Sequence, residues 1–366
     1  VSVDYGLKCT PASGSALTLA TALGAVFVGV VVCSITSGTQ VLDYANVPFG
    51  GLYALQVGEG VHTWAISNNG GASRLTFTYA KAAYQSSRNT TLYLYANATT
   101  EGSYGINAVN DLGQRVVSTI YPNARFLGKL TLTGQTPSKY DTTTTVSTQY
   151  SWYCNTATIS YTPTSANHST VVFWTIPSST STDYWYYGKP TLSGVAPNMY
   201  ARLYYRGLAG FNGTLPVLPE AFAFEVGPYV NASTSYGIRV YDASGNVMFD
   251  GATPQLVVLS MITNVDYSTA GTSYTLPSGI TPAIYFPQYI NERKGSGCNI
   301  DGYAKLFEYF GMMQRNGTTL NADIITMNVE GDFYDCRDTV TNYYYGNKTG
   351  LVVPIIDATQ YGGAAI

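Results

Sequence analysis

The chain has 366 residues and a net charge of −3, long enough for two or three domains with cores of their own. Its 18 Lys and Arg are scattered rather than clustered, which leaves out the basic patch that nucleic-acid binding requires. Only 11% of residues are charged while 33 are Tyr, and together with abundant Thr, Ser, Asn and Gly this favours strands and turns over disorder.

No basic stretch followed by an apolar run and a cleavage site opens the chain, which reads as a protein folded in a cytoplasm. The first element is a run beginning at Tyr5, and it recurs without gaps over 28 positions at Tyr104 and Tyr236. Each copy opens Tyr-Gly-Leu/Ile (Tyr5-Gly6, Tyr104-Gly105, Tyr236-Gly237) and carries a glycine nine residues after the Tyr, at Gly14, Gly113 and Gly245. Alternation within each run predicts a hairpin followed by a third strand. The turns Pro11–Gly14, Asn110–Gly113 and Asp242–Gly245 suit a type I turn closed by glycine at positive φ. Repetition at fixed spacing is the organising feature of the chain.

Residues 16–33 of the first copy are uncharged and long enough to imitate a membrane helix. The aligned positions of the second copy hold Arg115, Arg125 and Lys129, so two strands are expected in place of a span. In the strand from Val26 to Val32 the set Val26, Val28, Val30 and Val32 is expected to face outward and to need a cover, a subunit or partner contact.

Further along, Leu92–Tyr95 and Ala221–Phe224 lead into the next copy, and Leu351–Ile356 is their expected counterpart at the end. Tyr200–Tyr204 resembles Tyr303–Phe307, which predicts a strand at 303–310 despite its helix-like composition. Turn signals every 8 to 12 residues indicate three tandem β-sandwich-like (Ig-like) modules, at 1–102, 103–234 and 235–366. The aromatic run Tyr184, Trp185, Tyr186, Tyr187, with its relatives at Tyr150–Tyr153 and Tyr343–Tyr345, suits cross-strand packing, a subunit contact or sugar stacking.

Chemistry has few footholds. His62 and His168 lie in different modules and no nucleophile elbow is present, so no catalytic triad is expected. The cluster Glu330, Asp332, Asp335, Asp338 reads as a solvated acidic loop, with calcium binding or a glycosidase pair as its alternatives. Five cysteines form no metal motif. Cys9 and Cys33 are expected to be small buried hydrophobes, with Cys9–Cys33 and Cys298–Cys336 bridges open as alternatives. No catalytic, cofactor or metal residue is assigned.

The phrase from Tyr236 to Asp250, Tyr-Gly-Ile-x-Val-x-Asp-x-x-Gly-x-Val-x-Phe-Asp, resembles a signature of tail-associated proteins of tailed bacteriophages, those of the tail tip, baseplate or fibre. The first two copies depart from it at its closing Phe-Asp, where the second holds Val117-Ser118 and the first has neither residue. The resemblance implies a non-enzymatic structural virion protein, homo-oligomeric and in contact with other virion proteins, without cofactor, nucleic acid or membrane insertion. A carbohydrate-binding host-attachment protein is the alternative.

Overall fold

The computed structural model describes residues 8–9, 17–18, 26–57, 62–79, 89–97, 108–109, 115–117, 122–137, 150–162, 169–179, 184–208, 215, 217–227, 238–242, 244–245, 247–250, 253–267, 272–287, 292–295, 303–304, 306–328, 334–335, 343–344 and 350–363. Apart from one 3-10 turn at Ala358–Tyr361, every regular element among them is a strand. The protein is all-β. The strand expected at 303–310 is present as Tyr303–Ala304 and Leu306–Asn316. Residues 26–33 form a strand, and among the described residues no helix is long and apolar enough to cross a membrane.

All three signature runs contain a two-stranded antiparallel hairpin. Lys8–Cys9 pairs with Leu17–Thr18, Ala108–Val109 with Arg115–Val117, and Arg239–Tyr241 with Val247–Asp250. In the second and third copies the register slips at the same aligned place. Val109 faces Arg115 and Ala108 faces Val117, just as Tyr241 faces Val247 and Val240 faces Phe249. A bulge kept in register between copies behaves as a built feature rather than a defect.

Beyond each hairpin, six strands repeat. In the first unit they are Val26–Cys33, Thr39–Pro48, Leu52–Val57, His62–Asn69, Ala72–Tyr79 and Thr90–Ala96. The second unit has Arg125–Pro137, Tyr150–Ser160, Ser169–Thr175, Trp185–Gly188, Asn198–Leu208 and Ala221–Val226. The third has Ser260–Val265, Thr272–Thr275, Pro282–Ile284, Leu306–Asn316, Thr319–Asn328 and Leu351–Asp357. In every unit one sheet runs first–sixth–third and the other second–fifth–fourth. The expected final strands thus hold the centre of the first–sixth–third sheet each time. Strand Asn198–Leu208 corresponds to Thr319–Asn328 rather than to 303–310, so the shared Tyr-Ala-Arg/Lys-Leu wording marks alternation, not equivalent position.

The immunoglobulin-like part of the expectation requires correction. In an immunoglobulin sandwich the first two strands share a sheet. Here the first strand lies beside the sixth and the second beside the fifth; in the second unit the long first strand also runs on past the sixth, and its end Thr131–Pro137 pairs with the second strand. This is the strand order of an eight-stranded jelly roll without its fifth and sixth strands. Nor does a break in strand pairing fall near residue 234, because Trp174 faces Ile284 and Tyr186 faces Met313, joining the second and third units in one 15-stranded sheet.

The units close on one another instead of stacking in a line. Val26 bridges Asn123, and the Phe27 amide donates to the Pro122 carbonyl at 2.8 Å. At the aligned residues one unit on, Arg125 bridges Gln255 and the Phe126 amide donates to the Pro254 carbonyl, again at 2.8 Å. The third unit returns to the first, where the Tyr285 hydroxyl donates to the Gln56 carbonyl at 3.3 Å. One face of the first unit's first–sixth–third sheet packs inside its own sandwich, and the corresponding faces of the second and third units pack into one joint core. The opposite faces converge on a shared apolar centre: Phe27, Tyr53 and Tyr95 from the first unit, Phe173 and Phe224 from the second, Tyr285 and Ile356 from the third. Burial of both faces explains why Leu52–Val57, Ala221–Val226 and Leu351–Asp357 are apolar nearly throughout rather than alternating.

Candidate interaction surfaces

Of the signature residues, Tyr5, Gly6, Gly14, Tyr104, Gly105, Gly113, Tyr236 and Gly237 lie outside the described residues. Gly245 stands at φ +81° and closes its turn by donating to the Asp242 carbonyl at 3.1 Å. The Asp242 carboxylate accepts from the Ser244 amide at 2.8 Å, an Asx turn.

The valine face is smaller than strict alternation predicts. Val26 is fully buried and Val28 half-buried, leaving Val30 (41%) and Val32 (51%) exposed. The cause is a bulge. The register against Thr90–Ala96 slips between Phe27 and Gly29, so the parity of the strand reverses and Val26 turns into the sandwich core while Phe27 enters the shared centre. The same slip occurs between Phe126 and Gly128 in the second unit. Gly29 and Gly128 take φ of +154° and +153° there.

The aromatic run is likewise turned inward. Trp185, Tyr186 and Tyr187 are buried in the core shared by the second and third units, and Tyr184 is half-buried against it. These four residues therefore form a contact within the chain, not an open platform for a sugar or a second subunit. The Tyr187 ring meets Phe286 edge-on at 6.0 Å and stacks on Tyr204 at 6.3 Å. A Cβ on Gly188 would stand 2.4 Å from the Trp174 ring, which is why the run ends in glycine.

The described ionisable groups hold structural positions. Glu225, wholly buried, accepts from Arg125 Nε at 2.6 Å and from the Tyr161 hydroxyl at 2.6 Å. Burial, and then this carboxylate, push the Tyr161 phenol well above its usual range. Lys129 pairs with Glu220, Arg74 with Asp43 and Arg239 with Asp250. The Arg74 guanidinium holds the Asp43 carboxyl below the ordinary carboxylate range. His62 is buried, with Nδ1 2.9 Å from the Thr90 hydroxyl and Nε2 2.8 Å from the Ile35 carbonyl. His168 falls outside the described residues.

Cys33 is a buried thiol and not half of a bridge to Cys9; burial raises its pKa. Cys298 and Cys336 lie outside the described residues, as do Glu330, Asp332 and Asp338. Asp335 is described only as backbone paired with Tyr303. Among the described residues no three His, Cys, Asp or Glu side chains gather as a metal site.

One recurrent feature escaped the sequence. At the end of the second strand in every unit, an amide donates to the carbonyl just before the fifth strand. Phe49 donates to Gly71 (2.9 Å), Tyr161 to Pro197 (2.7 Å) and Leu276 to Thr318 (2.7 Å). These bonds place the turn between the fourth and fifth strands at the same end of each sandwich. The surrounding residues 48–51, 68–71, 193–198, 276–280 and 316–319 contain no charged side chain. Two of the largest exposed apolar groups stand there, Phe49 (50%) and Val195 (83%). No spacing in the sequence signals this, because the three turns share neither length nor composition.

No protein-family model, no curated protein and no solved structure matches the chain.

Proposed function

We propose that the chain is a non-enzymatic structural protein of a bacteriophage virion, a component of the tail tip, baseplate or fibre region. The observation that carries this reading is the threefold use of one reduced jelly-roll order about a single apolar centre. Jelly rolls serve in viral capsids, where a rigid body must offer broad surfaces to its neighbours. The Tyr236–Asp250 phrase points to the tail, and the hairpin that contains it recurs in all three copies. The described acids and His62 are engaged in ion pairs and hydrogen bonds that hold the fold. Burial of Trp185, Tyr186 and Tyr187 leaves that run no open face for a sugar, which favours the structural reading over the carbohydrate-binding alternative.

Quantitative mass spectrometry of purified phage particles tests the reading. The chain should be present at a fixed copy number per particle that persists through high-salt washing. A chain found only in the lysate, or at a ratio that drifts between preparations, would overturn it.

A further inference from the structure

We infer that two copies of this chain join edge to edge through the first strand of the first unit, Val26–Cys33, which pairs antiparallel with the same strand of the second copy about a twofold axis at Val31. Neither the contact nor its test depends on the virion reading above.

The ladder itself shows that this edge is open. The sheet runs Val26–Cys33, Thr90–Ala96, Leu52–Val57, so each outer strand has one side without a neighbour in the sheet. At Leu52–Val57 the third unit meets that side, where the Tyr285 hydroxyl reaches the Gln56 carbonyl. At Val26–Cys33 the Phe27 amide turns away from the sheet to the Pro122 carbonyl. Phe27 lies opposite Tyr95; past the bulge, Val30 and Val32 lie opposite Tyr93 and Thr91, residues of the same parity as Tyr95. The backbone N–H and C=O of Val30 and Val32 therefore point outward, as those of Phe27 do. Among the described residues no strand lies beside them, and both side chains are exposed.

The other two units guard the same place. Sheet edges are ordinarily protected by charge, by proline or by a bulge that turns the strand away. The residues aligned with Val30 and Val32 are Lys129 and Thr131 in the second unit. Lys129 brings a charge, paired with Glu220, and Thr131 already pairs with Thr158 of the second strand. In the third unit they are Met261 and Thr263, and Asn264, at φ +58°, sits where the register breaks. In the first unit the bulge precedes the open stretch, and Gly29–Cys33 holds neither charge nor proline. Such a strand can lie against its own copy without opposing like charges. The chain already joins like to like: third strand pairs with third at Trp174–Ile284 and fourth with fourth at Tyr186–Met313, both antiparallel. The register that engages both outward residues of both copies sets Val30 opposite Val32 of the second copy, each pair exchanging both backbone hydrogen bonds. That places Val31 on the axis and Gly29 opposite Cys33, a self-complementary contact. Beyond Gly29 the edge is already taken by Pro122 and Asn123, so the pairing ends there. The exposed valines of the two copies then shield one another.

Sedimentation equilibrium over a concentration series tests the contact, because so short a strand pair forms and parts with concentration. A species of twice the 39.3 kDa chain mass should grow in as the protein is concentrated. Val30→Lys and Val32→Lys should each weaken the association by about tenfold or more, since either puts a charge into the new pair. Val41→Lys, at a comparably exposed valine on an edge strand of the opposite sheet, should dimerise as wild type does. Amide hydrogen exchange reads the register. In the dimer the Val30 and Val32 amides should be protected, and dilution should release them. The Val31 and Cys33 amides, which face Thr90–Ala96, should stay protected throughout, and their protection in the lysine variants shows that those variants are folded. A chain that remains monomeric up to millimolar concentration would overturn the proposal. So would association that runs on past the dimer, lysine variants that dimerise as wild type does, or an equal loss with Val41→Lys. Protection of Val30 and Val32 in the monomer would show that the chain covers its own edge, and would end the proposal too. None of these results bears on whether the chain is present in particles, which mass spectrometry judges separately.

Discussion

A single glycine in each of two units decides which way a strand faces. Gly29 and Gly128 occupy φ near +154°, where an L side chain is strained whatever the space around it. Gly29 has no atom within 4 Å of a built Cβ, whereas Gly128 would also meet Ile159 at 3.0 Å. Gly29→Ala should therefore lose about 1–3 kcal/mol from backbone strain alone, and Gly128→Ala more, measured as the shift in urea midpoint at constant slope. Equal losses would show that the Ile159 contact relaxes freely. The bulge is also why the valine face is smaller than parity predicts: parity counting assumes an unbroken ladder, and Gly29, a glycine inside the strand, is the local sign of the slip. The Arg125–Glu225 pair, its carboxylate buried and its guanidinium half-buried, makes a second case. Removing either partner strands the other charge, at a cost of about 3–5 kcal/mol. Glu225→Gln and Arg125→Met should each be strongly destabilising, and the double variant should cost less than their sum; simple additivity in a double-mutant cycle would mean the two groups do not act as a pair. Cys33 sits in the sandwich core with its thiol pKa raised by burial. Residue-resolved alkylation of the native protein should leave it unmodified until denaturant is added.

Among elements, those with local causes were legible. The Asp242–Gly245 turn encodes its hairpin through an Asx bond and a positive-φ glycine, and the apolar runs at 92–95, 221–224 and 351–356 announce buried central strands. What could not be read is which neighbour buries an aromatic strand. The packing of Trp185–Gly188 is one reading its aromatics allow, but its cover, Phe286 and Met313, arrives from the following unit about a hundred residues later. Gly188 records that arrangement. Gly188→Ala would drive a methyl into the Trp174 ring, whose indole N–H is held by the Lys189 carbonyl at 3.1 Å and has little room to yield. Overpacking of this kind costs about 1–3 kcal/mol. Hydrogen exchange should show the loss spreading through 185–188, 282–286 and 306–316 while the first unit's 62–79 hairpin stays protected. Loss confined to the second unit would contradict a core shared across the two.

At the scale of the whole molecule, the three copies were visible in the sequence and their arrangement was not. Alignment of Tyr5, Tyr104 and Tyr236 says that a unit recurs; it says nothing of whether the units line up or close. Closure depends on the outer faces of three sheets, and those face residues differ between units: Tyr95, Phe224 and Ile356 hold matching places in the shared centre. Such a centre makes each unit's stability conditional on the others. A fragment spanning 103–366 retains the joined sheet of the second and third units but lacks Phe27, Tyr53 and Tyr95, and would present Phe173, Phe224 and Tyr285 to water. An exposed patch of that character promotes association. The fragment should bind a hydrophobic dye strongly and self-associate, and adding the separately produced segment 1–102 in excess should suppress both. In the intact chain, where no unit can leave without uncovering that centre, calorimetry should record one cooperative transition. A soluble, dye-silent 103–366 fragment would mean that the first unit hangs from the other two as an independent body, and the shared centre would then be a place of contact rather than a core.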